Sequence, residues 1–191
     1  MPEMRPKVVE LFNYMDATRA SLVECARSMS QSFASIRPRS GEWSAAENLS
    51  HLALVEFNVV GLMGKMIAAA REQETAPDMS EHSFMNSLDK WRIPEPVTKL
   101  TAPDRIAPDA KKTVEESLES LSRTRAQLKT LIADNADIDL HAVKRAHPAI
   151  GEIDMYQWGL FVAQHEERHR KQMERALAEV TERAAECAPI V

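Results

Sequence analysis

Residues 154–180 read DMYQWGLFVAQHEERHRKQMERALAEV. Trp158, Val162, His165, His169, Met173, Ala176 and Val180 recur at three- and four-residue spacing, the period of one helix face. This predicts a long helix from about Asp154 to Ala185, with two histidines where a core-facing stripe ordinarily carries Leu or Ala. The same letters contain HEERH (165–169), which satisfies the H-E-x-x-H pattern of zinc proteases. Residues four apart lie about one turn from each other, so His165 and His169 can converge on one cation at the ~2.0–2.1 Å of zinc–imidazole bonds. Without a metal, two imidazoles turned toward a core need carbonyl partners or partial solvation.

The protease reading needs a third ligand downstream. No histidine follows His169, and Glu174, Glu179, Glu182 and Glu186 fall on the same continuing helix. No strand-rich segment supplies a substrate-binding sheet edge. At about 100° per residue, Glu166 leaves the histidine face and points to solvent or a neighbouring helix. The peptidase reading is set aside.

Three further segments carry helical period. The first runs from about Lys7 to Ile36, with Leu22, Ala26, Met29, Phe33 and Ile36 in step, and Pro38 and Gly41 stop it. The second starts at Ser44, which forms a capping box with Glu47; His51, Val55, Val59, Leu62 and Met66 then share a face until about Arg71. The third spans about Asp109 to Asp134, with Val114, Leu118, Leu121, Leu128 and Ile132 inward. Residues 72–108 hold Pro77, Pro94, Pro96, Pro103 and Pro108, half of the chain's ten prolines. A connection this long between packed helices marks a crossover or a cover, with one short helical piece around His82–Trp91. The expected fold is all-α: a four-helix bundle, up-down-down-up, in one domain over 1–191, with a long proline-rich crossover between the second and third long helices.

A chain of 191 residues with 44% hydrophobic and 28% charged residues has the balance of a soluble globular domain. Net charge −5 argues against a general nucleic-acid binder. No apolar stretch near the ~20 residues that span a bilayer is expected, and no signal peptide. Cys25 and Cys187 form no C-x-x-C pair, which suits a reducing, cytoplasmic setting; Cys25 reads as a small buried residue and Cys187 as tail. His51 also lies on an inward face. Alone it reads as a satisfied core histidine; with His165 and His169 it completes a neutral three-nitrogen set with positions left open. His82, His141 and His147 read as surface or loop residues.

GEWSAAENLSHLALVE (41–56) and HPAIGEIDMYQWGLFVAQHEERHRKQM (147–173) resemble the DinB-like, or YfiT-like, superfamily of metal-dependent hydrolases. The likeness rests on Trp43, Ser44, Glu47, His51 and Leu52 in the first block. In the second it rests on Pro148, Gly151, Trp158, His165, His169 and Gln172. The intervening IPEPVTKLTAPDRIAP resembles the crossover of one subgroup. The resemblance implies a homodimeric bundle whose His51, His165 and His169 bind a divalent cation such as zinc or nickel. Glu47 matches the family glutamate; the capping box explains it, and a bond to a ligand histidine is the alternative. Some relatives are S-transferases or isomerases that use low-molecular-weight thiols such as mycothiol or bacillithiol.

The expected function is therefore a metal-dependent hydrolase or thiol S-transferase acting on a small molecule, with no nucleic-acid or membrane partner. The alternative is a non-catalytic metal-binding or stress-related interaction protein. Glu47, Glu56 and Asp154 are candidate acids or bases, and Phe84, Trp91 and Ile93 are candidate pocket walls from the crossover.

Overall fold

The computed structural model describes residues 4–73, 77–95 and 104–186. Pro6 opens α1 (Pro6–Arg27), where its missing N–H costs nothing. The predicted first helix breaks: α1 stops at the Ser28 cap, and Ser30 caps a separate short α2 (Gln31–Ala34) by accepting from the Phe33 amide. Ile36, expected to face inward, is 40% exposed. Gly41 makes the next turn with φ +76°, a backbone shape that favours glycine.

Ser44 and Glu47 form the expected capping box at the start of α3 (Ala45–Glu72). The third long helix, α4 (Val114–Ala133), begins later than Asp109, because Thr113 and Glu116 form a second capping box. A short antiparallel hairpin, β1 (Lys144–His147) and β2 (Gly151–Asp154), precedes α5 (Met155–Glu186). Single 3-10 turns occur at Asp89–Trp91, inside the span expected to be helical, and at Asp104–Ile106. The described residues are thus mostly helical, with one two-stranded sheet.

α3 packs along both α4 and α5, and α1 packs along α5 and α4. α3 is also long and apolar enough, by length and composition, to cross a membrane, which corrects the sequence expectation. Here it is a core helix whose His51, Glu56, Val59, Met63 and Ile67 are buried. Close approach at Gly159 draws α5 against its neighbours: a Cβ there would stand 3.2 Å from both Leu11 and Ile132 side chains.

The apolar interior has two clusters. α1 gives Leu11 and Met15 to the larger, then Leu22 and Ala26 to the smaller; α5 follows the same order, from Trp158 to Met173. α3 and α4 run the other way, from Leu49 to Met63 and from Leu121 to Leu128. Between the clusters lies a charged layer with one residue from each long helix, three of them buried and Arg19 half-buried. Arg19 donates to Glu166 (2.5 Å) and Glu56 (2.7 Å), and Arg125 donates to Glu56 (2.8 Å) and Glu166 (3.0 Å). The arginines also reach the Leu121 and Met15 carbonyls, both at 2.6 Å, and Thr18 donates to Glu166 at 3.0 Å. With this many partners, three buried charges and the half-buried Arg19 are held without an unpaired group.

Candidate metal centre

The capped first turns of α3 carry Asn48 and His51 inward, and the middle of α5 presents His165 and His169 to them. The three imidazoles gather with one ligand nitrogen each, all within 4.8 Å of one another. His51 and His169 are 3% and 5% exposed, and His165 is half-buried. Ring contacts join all three, with centroids 4.8 Å apart for His51–His169, 5.3 Å for His51–His165 and 4.4 Å for His165–His169. Trp43 packs 4.9 Å from the His51 ring and stacks on His169, while Phe161 stacks on His165 at 5.2 Å.

Hydrogen bonds fix two of the tautomers. His51 Nδ1 lies 2.7 Å from the Ile106 carbonyl, which only accepts, so Nδ1 carries the proton. His169 Nδ1 lies 2.7 Å from Asn48 Oδ1. The Asn48 amide is oriented by donating its Nδ2 to the Ser44 carbonyl at 2.9 Å, so His169 is the donor. Nε2 of both rings is therefore left as a lone pair. His169 Nε2 and His165 Nε2 are 3.0 Å apart, and two nitrogens at that separation subtend about 95° at a cation ~2.0–2.1 Å from each. The donor set fits a divalent metal.

Electrostatics agree. Burial lowers the pKa of His51, opposed by its bond to Ile106. Burial, then the neighbouring histidines and Arg168, hold His165 and His169 well below the usual imidazole value. All three stay neutral, the form that binds a metal.

Other candidates lie elsewhere. Glu47 serves the Ser44 cap and accepts from Arg37 Nε at 2.8 Å; against the effect of burial, these partners hold its carboxyl below the usual value. The side chain on this turn that touches a histidine is Asn48, which the sequence reading missed. Its signal was a polar residue one turn before His51 on the inward face. Glu56 is committed to the charged layer. Asp154 caps α5 through reciprocal bonds with Gln157 and lies 3.0 Å from His141 Nδ1. Phe84 stacks on Tyr156, about 13 Å along α5 from His165 at 1.5 Å per residue. Ile93 joins the larger core, Trp91 packs beside it, and Lys90 covers the Trp91 ring. The crossover reaches the centre instead through the Ile106 and Glu95 carbonyls, the latter accepting from Arg168 at 2.6 Å.

Glu166 does not face solvent. It is 1% exposed and belongs to the charged layer, so of its two expected directions the neighbouring helices are right and solvent is wrong. His82 is exposed as expected. His141 lies in a turn after α4, as expected, and is half-buried there: Lys7 Nζ lies 3.2 Å from its Nε2, and Lys7 also pairs with buried Asp78 at 2.6 Å. His147 is half-buried against Phe161 and Trp158. Cys25 is half-buried, with its thiol pushed up to about 11 by burial, and Cys187 lies outside the described residues.

Comparison with curated proteins gave no match, and comparison with solved structures gave none. The family model of the DinB superfamily matches residues 14–173, which takes in all three histidines, both capping boxes and the whole charged layer. The chain belongs to the DinB superfamily.

Proposed function

We propose that the chain is an up-down-down-up four-helix bundle in which His51, His165 and His169 hold one divalent cation, zinc or nickel, and that the centre is catalytic. The order in which the helices traverse the two core clusters supports the topology. The observation that carries the metal assignment is the pair of Nδ1 bonds, from His51 to the Ile106 carbonyl and from His169 to Asn48, which leave both Nε2 atoms unprotonated.

Held by three neutral nitrogens, the cation would retain its charge and supply Lewis acidity at positions left for water, thiol or substrate. The chain's own residues do the rest. Ile106 and Asn48 hold the rings in one tautomer and orientation. Trp43 and Phe161 cover the ring faces and limit water. The reaction is hydrolysis of a small molecule or transfer of a low-molecular-weight thiol. The second reading is a non-catalytic metal-binding or stress-related interaction protein. The full commitment of Glu56 and Asp154 to other partners favours it, since neither is left as an acid or base.

Elemental analysis tests the centre: about one divalent metal per chain is expected, lost in His165→Ala and in His169→Ala. Full occupancy in the His51→Ala/His169→Ala double variant would refute it. Assays with mycothiol, bacillithiol and glutathione against an electrophile then separate the catalytic from the non-catalytic reading.

A further inference from the structure

Beside the histidine centre, Phe161 forms the middle of a row of rings. Its inner neighbour is His165, stacked at 5.2 Å. On the other side stand His147 at 4.4 Å and Trp158 at 5.8 Å, and these two rings are 5.2 Å from each other. Both carry an N–H with no protein acceptor among the described residues, and that of Trp158 is fully buried. Trp158 is 5% exposed, yet its indole Nε1 has no acceptor among the described residues. Buried polar groups are almost always paired, so this one calls for an explanation.

His147 closes the turn between β1 and β2 by accepting the Ala149 amide at Nδ1, 3.1 Å away. A ring nitrogen that accepts carries no proton, so the proton of His147 sits on Nε2. No protein acceptor takes that proton among the described residues. Two N–H donors thus flank one aromatic ring that stacks on His165: the indole is buried without an acceptor, and the His147 Nε2 of a half-buried ring has none from the protein among the described residues.

We propose that His147 and Trp158 form the acceptor-binding subsite of this centre, holding a carbonyl or carboxylate oxygen of the substrate while its reacting end lies at His51, His165 and His169. The assignment rests on reading the three histidines as the reactive centre. The hairpin is then a piece of the binding site, and its role is to bring His147 over Phe161. A substrate of this kind is small and flat enough to lie along the Phe161 ring, with an oxygen acceptor at the end remote from the reacting atom.

The test reads the donor itself. In protein labelled with ¹⁵N-tryptophan, Trp43, Trp91 and Trp158 give three indole N–H resonances, and Trp158→Phe assigns the one that matters. Benzoate and benzamide are titrated into the metal-free protein. Either should shift the Trp158 resonance downfield in a saturable way while Trp91 stays still. His147→Asn keeps an oxygen for the Ala149 amide but loses the Nε2 donor, and should weaken the tighter probe about fivefold, the worth of one hydrogen bond. Whichever probe binds more tightly identifies the oxygen as carboxylate or carbonyl.

A Trp158 resonance unmoved by both probes would overturn the proposal, as would equal affinity in folded His147→Asn. Because the readout needs no metal, a failure of the histidines to bind a cation leaves it intact and is detected separately by elemental analysis.

Discussion

Replacing Asn48 by alanine should weaken metal binding more than any other change that leaves the three histidines in place. Asn48 is 1% exposed and its Oδ1 accepts from His169 Nδ1 at 2.7 Å. Without that acceptor, the buried N–H is left unpaired at a cost of about 1–3 kcal/mol, and the ring can escape by moving its proton to Nε2. That tautomer has no lone pair for a cation. Removing such an orienting partner ordinarily costs about 10–100-fold in metal affinity, or roughly 1.4–2.8 kcal/mol. Glu47→Ala is the internal control, one residue away. It breaks the capping box and the Arg37 pair, so it should cost about 1 kcal/mol of stability and leave metal affinity within about threefold. Competition against a chromogenic chelator at fixed pH measures the affinities, and thermal melts of the metal-free proteins measure the stabilities. Equal affinity in Asn48→Ala and the parent, or an equal loss in Glu47→Ala, would refute the assignment of the orienting role.

Glu166→Gln should retain metal stoichiometry, by elemental analysis, because its carboxylate faces Arg19, Arg125 and Thr18 and not the histidines. Glu166→Ala, which leaves two arginines facing one carboxylate, should lose about 3–5 kcal/mol in a denaturant melt. The metal-free protein should lose stability as pH falls below about 6.5. The folded pKa values of His165 and His169 are depressed, so the unfolded chain binds protons there that the native state refuses. Melts from pH 7.5 to 5 check this, and His165→Ala should flatten the dependence.

Much of this could be read from the letters alone. The Ser44–Glu47 box fixes where α3 begins, and from that start His51 falls inward by counting turns. The stripe from Trp158 to Val180 gives α5 and its two histidines. Periodicity left Glu166 two directions, solvent or a neighbouring helix, and could not choose between them. α5 packs on both α1 and α3, so Glu166, a third of a turn from the histidine face, is as buried as His169. The first helix was read too long because Phe33 continues its period across the break, although Ser28 and Ser30 are better cap residues than interior ones. The hairpin has strands of four residues each, too short for alternation to register. Asn48, Ile106 and the unpaired indole of Trp158 matter through contacts between distant elements, which no local pattern announces.

The layer of Arg19, Glu56, Arg125 and Glu166 also limits which misfolded packings this chain can reach. Its apolar seams alone would tolerate a helix slipped by one turn, since Leu recurs along all four long helices. Such a slip would bring Val162 or Arg170 to the place of Glu166, or Leu52 or Val60 to that of Glu56. Either arginine would then face hydrocarbon or another arginine in the dry interior. Two acids and two bases at one height act as a vernier: only one alignment of the four helices neutralises every charge at once. Adjacent letters of HEERH serve the two demands, with His165 turned to the centre and Glu166 to the alignment that keeps the centre assembled.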